Sequence, residues 1–338
     1  MSVDTIAAPA ATLLFDRSAR LRMQFSGAKA AESLTGLVTN DVLALRGGDG
    51  LYACALTAKG RIIADVRILA FASEDGSVQS FLVDANAAAG VGFAAMIRKY
   101  VNPRLAKYVD VTASTACLTL SGEATVALLQ RIGVDATRCT DVASGALFTH
   151  HTVTIGTAAV QLVRVPDLGN TDTFDLHCSS IGAAAVRHAL IGAGAVAPDD
   201  AEWHRRRVIA ARPEWGVDMD ESTLAQEANM DALQAISYKK GCYTGQETVA
   251  RVHFRGHVNR TIRRITLPDG QVPAVGTSLA SSDGAAVGDS RSTAKNDAGT
   301  LTGLAMLRRQ VGDGAELAWL DADGGRHPVL VNGVAHAS

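Results

Sequence analysis

The sequence has few cysteines and no pairing pattern among them. The five cysteines are an odd number, are widely spaced and include no Cys-x-x-Cys pair: Cys54, Cys117, Cys139, Cys178 and Cys242. A disulfide framework, a closed zinc site and an iron–sulfur cluster held by four cysteines of one chain all need other spacings, so the sequence argues against them. We expect a protein of the reducing cytoplasm with no resident metal.

Strong net charge and long hydrophobic runs are also missing. The formal net charge is −2, which gives no overall attraction to nucleic acid or to acidic membranes. The alanine-rich run from Gly182 to Ala197 is interrupted by Arg187 and His188 and is shorter than the ~20 apolar residues that a membrane span needs. Asp4 precedes any basic residue, so we expect no signal peptide. The sequence predicts no direct binding to nucleic acid and no membrane insertion.

The first 262 residues alternate strand-like and helix-like segments. Leu51–Leu56 and Ile62–Phe71 have strand composition and flank a turn at Ala58-Lys59-Gly60, which predicts a hairpin. Ala85–Tyr100 has apolar residues at helical spacing and ends before a proline, which predicts a helix. Further strands are predicted at 79–83, 116–120, 147–155, 160–164 and 174–177, and further helices at 124–132 and 182–191. The pattern favours an α+β architecture with antiparallel sheets.

The pattern of apolar runs and turn residues changes at about residue 263. Asp-Gly turn pairs at 269–270, 283–284, 313–314 and 323–324 separate short apolar runs such as Leu301–Leu307 and Leu317–Leu320. Recurring turns with short strands predict a small all-β barrel or sandwich. The length of 338 residues fits two or three domains. We therefore divide the chain into residues 1–262 and a C-terminal barrel at 263–338.

The segment Tyr238–Arg255 is the most informative part of the sequence. It places Cys242 after the pair Lys239-Lys240 and ahead of a predicted helix, with Thr244 and Glu247 at the spacing of a capping box. The N–H groups of a helix start and two nearby ammonium groups favour a thiolate, which is the reactive and metal-binding form. A lone cysteine is more often a small buried residue in a turn. The crowding of special residues at 240–247 favours a functional site.

This octapeptide, Lys-Gly-Cys-Tyr-Thr-Gly-Gln-Glu, resembles the hallmark of the YgfZ-type folate-binding proteins, in the superfamily of the glycine cleavage T-protein (aminomethyltransferase). The resemblance extends over most of the chain, in the segments 25–42, 56–66, 207–231 and 255–260. It implies a T-protein-like ring of three domains around a central channel that folate enters, with the first two domains interwoven within residues 1–262. It also implies that this chain binds tetrahydrofolate or a one-carbon derivative.

The resemblance assigns a set of candidate residues. Asp65 falls where the aminomethyltransferases carry the second of two adjacent acids near the reactive pterin nitrogens, but the neighbouring position is Ala64. Arg207 matches a family arginine close to folate, and a guanidinium can bind a glutamate carboxylate through two hydrogen bonds. The others assigned to ligand binding are Tyr52, Asn86, Lys240, Gln246 and Glu247, with Cys242 and Asp65 as the chemically active pair.

One segment departs from the family pattern. Between Arg164 and Asp175 the sequence has no clear counterpart of the family's pterin-binding glutamate, although Asp172 is a possible substitute. Around the hallmark, basic residues from Lys239 to Arg264 far outnumber the one acid, Glu247. This local field predicts an anionic ligand or an acidic partner surface.

Three functions remain open. The first is a monomeric folate-binding factor that supports iron–sulfur cluster assembly or repair together with client or assembly proteins, and so affects tRNA modification indirectly. The second is a folate-dependent aminomethyltransferase or demethylase, against which the missing acid at Ala64 argues. The third uses Cys242 as a covalent nucleophile activated by His253 or His257. Whether the chain is an enzyme stays open; an accessory factor is favoured.

Overall fold

A computed structural model of the protein describes residues 11–169 and 172–334. The predicted absence of a signal peptide rests on Asp4, which lies outside these residues. The strands are β1 Leu13–Asp16, β2 Leu21–Ser26, β3 Gly50–Leu56, β4 Ile62–Ala72, β5 Val78–Ala85, β6 Lys107–Asp110, β7 Thr115–Ser121, β8 His150–Ile155, β9 Ala158–Arg164, β10 Thr173–Ser179, β11 Arg260–Leu267, β12 Ser278–Ala280, β13 Ala286–Lys295, β14 Leu301–Arg308, β15 Glu316–Leu320 and β16 Arg326–Val334. The helices are α1 Ala30–Leu37, α2 Gly90–Tyr100, α3 Thr125–Arg131, α4 Ala136–Ser144, α5 Ala183–Gly192, α6 Asp200–Ile209 and α7 Gln246–Arg255, and short 3₁₀ turns cover Val42–Ala44 and Ala87–Ala89.

The strands form three sheets, each with its own apolar core. The first sheet has the order β3-β4-β5-β2-β6 and the second has the order β1-β7-β10-β9-β8, with all their strand pairs antiparallel. The N-terminal sequence contributes to both sheets, because β1 pairs with β7 whereas β2 pairs with β5 and β6. The predicted α+β class with antiparallel sheets is confirmed.

The third sheet is a closed six-stranded barrel with the order β11-β14-β13-β12-β15-β16. Its interior is filled by apolar side chains, among them Ile265, Leu279, Leu307 and Val331. Each of the four predicted Asp-Gly turns has its glycine at positive φ, from +73° to +85°. Glycine adopts this conformation without steric cost, which is why these pairs end the strands. The predicted barrel is confirmed, and its first strand begins at Arg260.

The hairpin of β3 and β4 sets the geometry of the cleft described below. Its strands pair so that Tyr52 lies opposite Arg67 and Cys54 lies opposite Asp65. Side chains alternate between the two faces of a strand, so Asp65 and Arg67 share one face of β4 while Ala64 and Val66 face the other. Ala64 is fully buried in the core of the first sheet, between that sheet and α1 and α2.

Within the described residues, no helix is long and apolar enough to cross a membrane.

The helix predicted at 85–100 begins instead with a 3₁₀ turn, and α2 starts only at Gly90. The side chain of Asn86 accepts a hydrogen bond from Ala88 N at 2.9 Å and caps that turn. The helix α4 was not predicted from the sequence, and the strand expected at 147–155 starts three residues later, at His150.

Candidate functional site

A cleft lies where the first sheet meets the second sheet and the segment that follows α6. Four of the predicted site residues line it together: Tyr52, Asp65, Asn86 and Arg207. The remaining lining residues are Arg17, Arg20, Arg67, Asp167, Trp203, Arg212, Pro213, Glu214, Trp215 and Leu233. Five arginines against three acids give the cleft an excess of positive charge, in a chain whose net charge is −2. We call this site the arginine cleft.

Tyr52 and Asp65 form a hydrogen-bonded pair in the wall of the arginine cleft. The Tyr52 hydroxyl donates to Asp65 Oδ2 at 2.8 Å, whereas Asp65 Oδ1 is buried and has no hydrogen-bond partner among the residues that the structure describes. Burial raises the pKa of the Asp65 carboxyl above its ordinary value, against the opposing effect of Arg20. Burial, with the charge of Asp65, also raises the pKa of Tyr52 well above its usual range. Asp65 therefore presents one free acceptor in a desolvated place, which is a feature of functional carboxyls.

The residue before Asp65 faces away from the arginine cleft. Ala64 lies on the opposite face of β4, fully buried among core residues. A carboxylate at 64 would be placed in hydrocarbon without a partner, which costs several kcal/mol. In this chain only one of the two positions faces the arginine cleft.

Arg207 lines the arginine cleft, but both terminal nitrogens of its guanidinium group already bind protein groups. Its Nη1 donates to Asp218 Oδ2 at 2.6 Å, its Nη2 donates to Ser292 Oγ at 2.7 Å, and its Nε lies 2.8 Å from Glu214 Oε2. The side chain is 3% exposed. Arg207 therefore ties α6 to the loop at 214–218 and to strand β13 of the barrel. Its predicted direct contact with folate stays a prediction.

Two other arginines were not predicted from the sequence and are less engaged. Arg212 is buried with its guanidinium carbon 5.9 Å from the centre of the Tyr52 ring, and Arg17 stacks on the Trp203 ring at 3.9 Å. Arg17 also reaches Glu214 at 3.9 Å, while its Nε is buried and finds no hydrogen-bond partner within residues 11–169 and 172–334. These two guanidinium groups suit a carboxylate or phosphate better than Arg207 does. One feature of the sequence could have pointed to Arg212 as a site residue: it lies shortly after α6 and next to Pro213.

The sequence shows no clear counterpart of the family's pterin-binding glutamate at 164–175, but this segment does contribute an acidic residue to the arginine cleft. Asp167 lines the arginine cleft and pairs with Arg67, which also donates to Asp175 Oδ2 at 2.6 Å. Burial opposes the ionised form of Asp167, but Arg67 and Arg212 outweigh it and lower the pKa of Asp167. Asp172, the substitute considered from sequence, does not line the arginine cleft among the described residues.

The side chains leave little free space between them. The arginine cleft contains about 490 Å³ between atoms including its open mouth, but only about 50 Å³ of this is wide enough for the centre of a water molecule. That is room for a few waters. A ligand of the size of a pterin would have to displace the flexible arginine side chains, Arg17 and Arg212 first because they have the fewest hydrogen bonds.

The hallmark loop lies apart from this lining set. Lys240, Cys242, Gln246 and Glu247 are absent from the described residues that line the arginine cleft. Cys242 is exposed, and the other four cysteines are buried. The capping box predicted from Thr244 and Glu247 is wrong: the N-cap of α7 is Gly245, at φ +86°, and no side chain caps it. Glycine is needed there because a Cβ would lie 2.5 Å from Thr57 O.

The sequence predicted that the Lys240 ammonium group would favour the Cys242 thiolate. In the structure it binds backbone carbonyls instead. The ammonium group is buried and donates to the carbonyls of Thr35 and Val38, at the C-terminal end of α1, the latter at 2.6 Å. A cation at a helix C-terminus is stabilised by the helix dipole. Burial lowers the pKa of Lys240 to about 8. Of the predicted pair, only Lys239 is exposed beside the thiol.

The other hallmark side chains also have local roles. Gln246 Oε1 accepts from Tyr243 N at 3.3 Å, and Glu247 is exposed on the first turn of α7. His253, one of the two histidines considered as an activating base, stacks on the ring of Tyr238 at 3.6 Å near the far end of α7. His257 lies beyond that helix end. The structure therefore offers no support for a thiol activated by either histidine.

One buried group has the donors of a metal site. Cys117, Asp175 and His177 place their ligand atoms within 4.8 Å of one another. Asp175 already accepts from Arg67 and from Thr119 Oγ1, the latter at 2.5 Å, and the guanidinium group disfavours a cation. Burial lowers the pKa of His177 to about 4. This group belongs to the interior of the second sheet, and we assign no metal to it.

The fold and the sequence identify the class of protein. The sequence signature of the GCVT N-terminal domain family matches residues 5–240. The chain belongs to that family. The crystal structure of the glycine cleavage system aminomethyltransferase T from Bartonella henselae superposes with a TM-score of 0.84, covering 97% of this chain and 86% of that one at 18% identity. The predicted T-protein-like fold is therefore confirmed.

Particular relatives extend the similarity. The iron-sulfur cluster assembly factor IBA57 homolog, mitochondrial, of Neurospora crassa is 29% identical over 253 residues, which are 72% of this chain and 51% of that protein. The corresponding Pyricularia oryzae homolog is 28% identical over 310 residues, 87% of this chain and 71% of that protein. The tRNA-modifying protein YgfZ of Aliivibrio fischeri (strain MJ11) is 35% identical over 86 residues, 25% of this chain and 27% of YgfZ. The chain thus spans about half the length of the Neurospora relative.

Proposed function

We propose that this chain binds tetrahydrofolate in the arginine cleft and supports the assembly or repair of iron–sulfur clusters, with Cys242 as the exposed thiol. The observation that carries the folate half is the free, buried oxygen Asp65 Oδ1 beside an arginine-rich wall. The names of the IBA57 and YgfZ relatives support the cluster half. An effect on tRNA modification would then be indirect, through client proteins that carry clusters.

The donor set of the arginine cleft fits a folate. Asp65 Oδ1 can accept from an N–H group of the pterin ring, and the Tyr52 hydroxyl holds the carboxyl in orientation. The indole N–H groups of Trp203 and Trp215 are buried, have no hydrogen-bond partners in the described part of the chain, and can donate to the ligand. Arg17 and Arg212 can bind the carboxylates of the glutamate tail. Bound tetrahydrofolate supplies a carrier for one-carbon units at its ring nitrogens.

Cys242 would act on a cluster as cargo. One thiolate cannot hold a cluster, so the remaining ligands must come from a client or assembly protein or from a small thiol. The exposure of Cys242 allows such sharing, whereas the other four cysteines are buried. We further propose that the protein works as a monomer in the cytoplasm.

Calorimetric titration with tetrahydrofolate tests the folate half. We expect binding to the natural protein, and about tenfold weaker binding to Asp65→Asn and to Arg212→Gln, since each removes one charged hydrogen-bonding group. Arg104→Gln, at an exposed site remote in sequence, is the matched control. No heat and no rise in melting temperature at saturating ligand would end this half of the proposal.

Anaerobic cluster transfer tests the other half. We expect Cys242→Ser to abolish delivery of a [2Fe–2S] cluster to an apo-ferredoxin in the presence of assembly proteins, while Cys178→Ser, at a buried thiol, retains it. Equal transfer by both variants would remove Cys242 from the proposal.

A folate-dependent one-carbon transferase is the second candidate. The raised pKa of Asp65 and its free oxygen favour it, because a carboxyl that handles a proton has these properties. The single acid on β4 argues against it. Formation of methylenetetrahydrofolate from an amine donor, abolished by Asp65→Asn, would establish this activity.

A further inference from the structure

A second and larger concave site lies at the junction of the barrel with the first sheet. It has a volume of about 940 Å³ and is lined by Arg61, Leu224, Glu227, His257, Asn259, Arg260, Arg308, Arg309 and Gln310. We call it the basic groove. It shares no lining residue with the arginine cleft. Four arginines and one histidine face a single acid, Glu227, so the groove is strongly positive.

The strand register of the barrel brings like charges together in the basic groove. Arg260 at the start of β11 pairs directly with Arg308 at the end of β14, and Arg309 N donates to Asn259 O at 2.8 Å. Like charges directly opposite on neighbouring strands destabilise a sheet. Arg260 is compensated by Glu227 at 3.1 Å. Arg308 and Arg309 are exposed, and neither has an acidic partner among residues 11–169 and 172–334.

A fourth guanidinium, from the hairpin of the first sheet, lies in the same groove. Arg61, in the turn of the β3–β4 hairpin, donates to Ser222 O, and Arg260 Nη2 donates to the same carbonyl oxygen at 3.3 Å. Glu227 is already occupied, since it also accepts from Leu224 N at 2.9 Å. The basic groove therefore gathers charges from two domains without enough internal acid to balance them. An external anion would relieve this repulsion.

The shape and lining indicate what kind of anion fits. The volume is far larger than one phosphate or carboxylate needs and is comparable to sites for large ligands. Among the described residues, no phenylalanine, tyrosine or tryptophan lines it, and this lining lacks the stacking platform typical of single-stranded nucleic acid sites. Phe254, three residues before His257 in the chain, is 67% exposed, and exposed aromatic side chains are typical of protein interfaces.

We propose that the basic groove docks an acidic segment of a partner protein, with neighbouring Asp or Glu side chains bound by Arg308, Arg309 and Arg61. The inference goes beyond the proposed function and requires neither folate binding nor a role for Cys242. Arginine suits this task because its planar fork binds a carboxylate through two parallel hydrogen bonds. The groove lies past the C-terminal end of α7, whose first turn follows the Cys242 loop.

The test measures binding of a fluorescent oligoglutamate peptide to the full chain by anisotropy at low salt. An oligoglutamine peptide and an oligouridylate RNA of the same length are the comparison probes. The test variant is Arg308→Glu with Arg309→Glu. The control variant is Arg104→Glu with Arg187→Glu, which makes the same change in net charge at exposed arginines elsewhere. Circular dichroism on both variants reports folding, and Arg308→Gln with Arg309→Gln replaces the test variant if it fails to fold.

We expect the oligoglutamate peptide to bind the natural protein and the control variant alike, and to bind the test variant at least about tenfold more weakly. The affinity should also fall steeply with added salt. No binding of oligoglutamate, an equal loss in the control, or tighter RNA binding that depends on the same arginines would each overturn the proposal. Tetrahydrofolate titration of the same variants separates this outcome from the proposed function, because the arginine cleft is unchanged in both.

Discussion

The Tyr52 hydroxyl donates to one oxygen of Asp65 at 2.8 Å, and the other oxygen is buried with no hydrogen-bond partner in the described structure. The pair joins neighbouring strands β3 and β4 on the face that looks into the arginine cleft. A buried acceptor without a partner costs free energy in the unliganded protein, and in the proposed function a folate N–H group would satisfy it. Stability and function are therefore expected to conflict at Asp65.

The pH dependence of Asp65→Asn makes this conflict measurable. Burial raises the pKa of Asp65 in the native state. A carboxyl whose pKa rises on folding stabilises the native state fully below its unfolded pKa, and this contribution is lost as the pH rises through the native pKa. We expect Asp65→Asn to increase the free energy of unfolding near pH 7, and the gain to shrink as the pH falls toward about 4. Urea unfolding at both pH values measures it.

Asp323→Asn, at an exposed turn position, is the control for that measurement and should change stability little at either pH. A loss of stability for Asp65→Asn near neutral pH would mean that Arg20 and Arg67 stabilise the ionised carboxylate more than burial opposes it. We expect Asp65→Asn to lower the affinity for tetrahydrofolate without lowering the stability of the protein.

Lys240 anchors the hallmark loop to the end of α1. Lys240→Met keeps most of the apolar stem but removes the donor to the Thr35 and Val38 carbonyls. We expect a loss of about 1–3 kcal/mol, the usual cost of leaving buried acceptors without a donor. Hydrogen exchange at the Thr244 amide, which donates to Gly36 O at 3.2 Å, should become faster. The exposed neighbour provides the control: Lys239→Met with the same effect would refute the anchor.

Gly245 and Gly241 flank Cys242, but only at position 245 would a side chain clash with its surroundings. An alanine Cβ at 245 would lie 2.5 Å from Thr57 O in a backbone with φ +86°, whereas a Cβ at 241 meets nothing within 4 Å. The left-handed conformation alone costs roughly 1–2 kcal/mol. We expect Gly245→Ala to lower the free energy of unfolding by at least about that amount and Gly241→Ala by less than about 0.5 kcal/mol. Thermal unfolding compares the two, and equal effects would contradict the geometry.

Thiol titration checks the exposure of Cys242. In the native state an aromatic disulfide reagent should react with one thiol per chain, because Cys242 is exposed and the other four cysteines are buried. Cys242→Ser should leave no fast-reacting thiol, and the natural protein in denaturant should show all five. Rapid reaction of a second native thiol would contradict the burial of the remaining cysteines.

The local elements of the fold were predictable because their causes lie close together in the chain. The hairpin at 51–71 follows from two apolar runs around a glycine turn, and the barrel follows from short strands between Asp-Gly pairs. The four-residue grouping of Tyr52, Asp65, Asn86 and Arg207 in one cleft was predictable only through the resemblance. Their spacing along the chain does not reveal a shared site.

The roles of individual charges were less predictable. From the sequence, Arg207 suited a ligand carboxylate and Lys240 suited the Cys242 thiolate. In the structure Arg207 instead donates to Asp218 and Ser292, and Lys240 donates to carbonyls more than 200 residues earlier in the chain. A long cationic side chain binds whichever acceptor the fold brings near, and sequence spacing carries no information on that choice.

By itself the sequence determined the α+β class, the barrel with its turns and the family resemblance, because composition, period and turn chemistry are local properties. Only the tertiary structure decided that Arg212 is less engaged than Arg207, that Asp167 faces the arginine cleft and that Arg260 pairs with Arg308. Those relationships depend on strand register and on contacts between domains, which arise only when distant segments pack together.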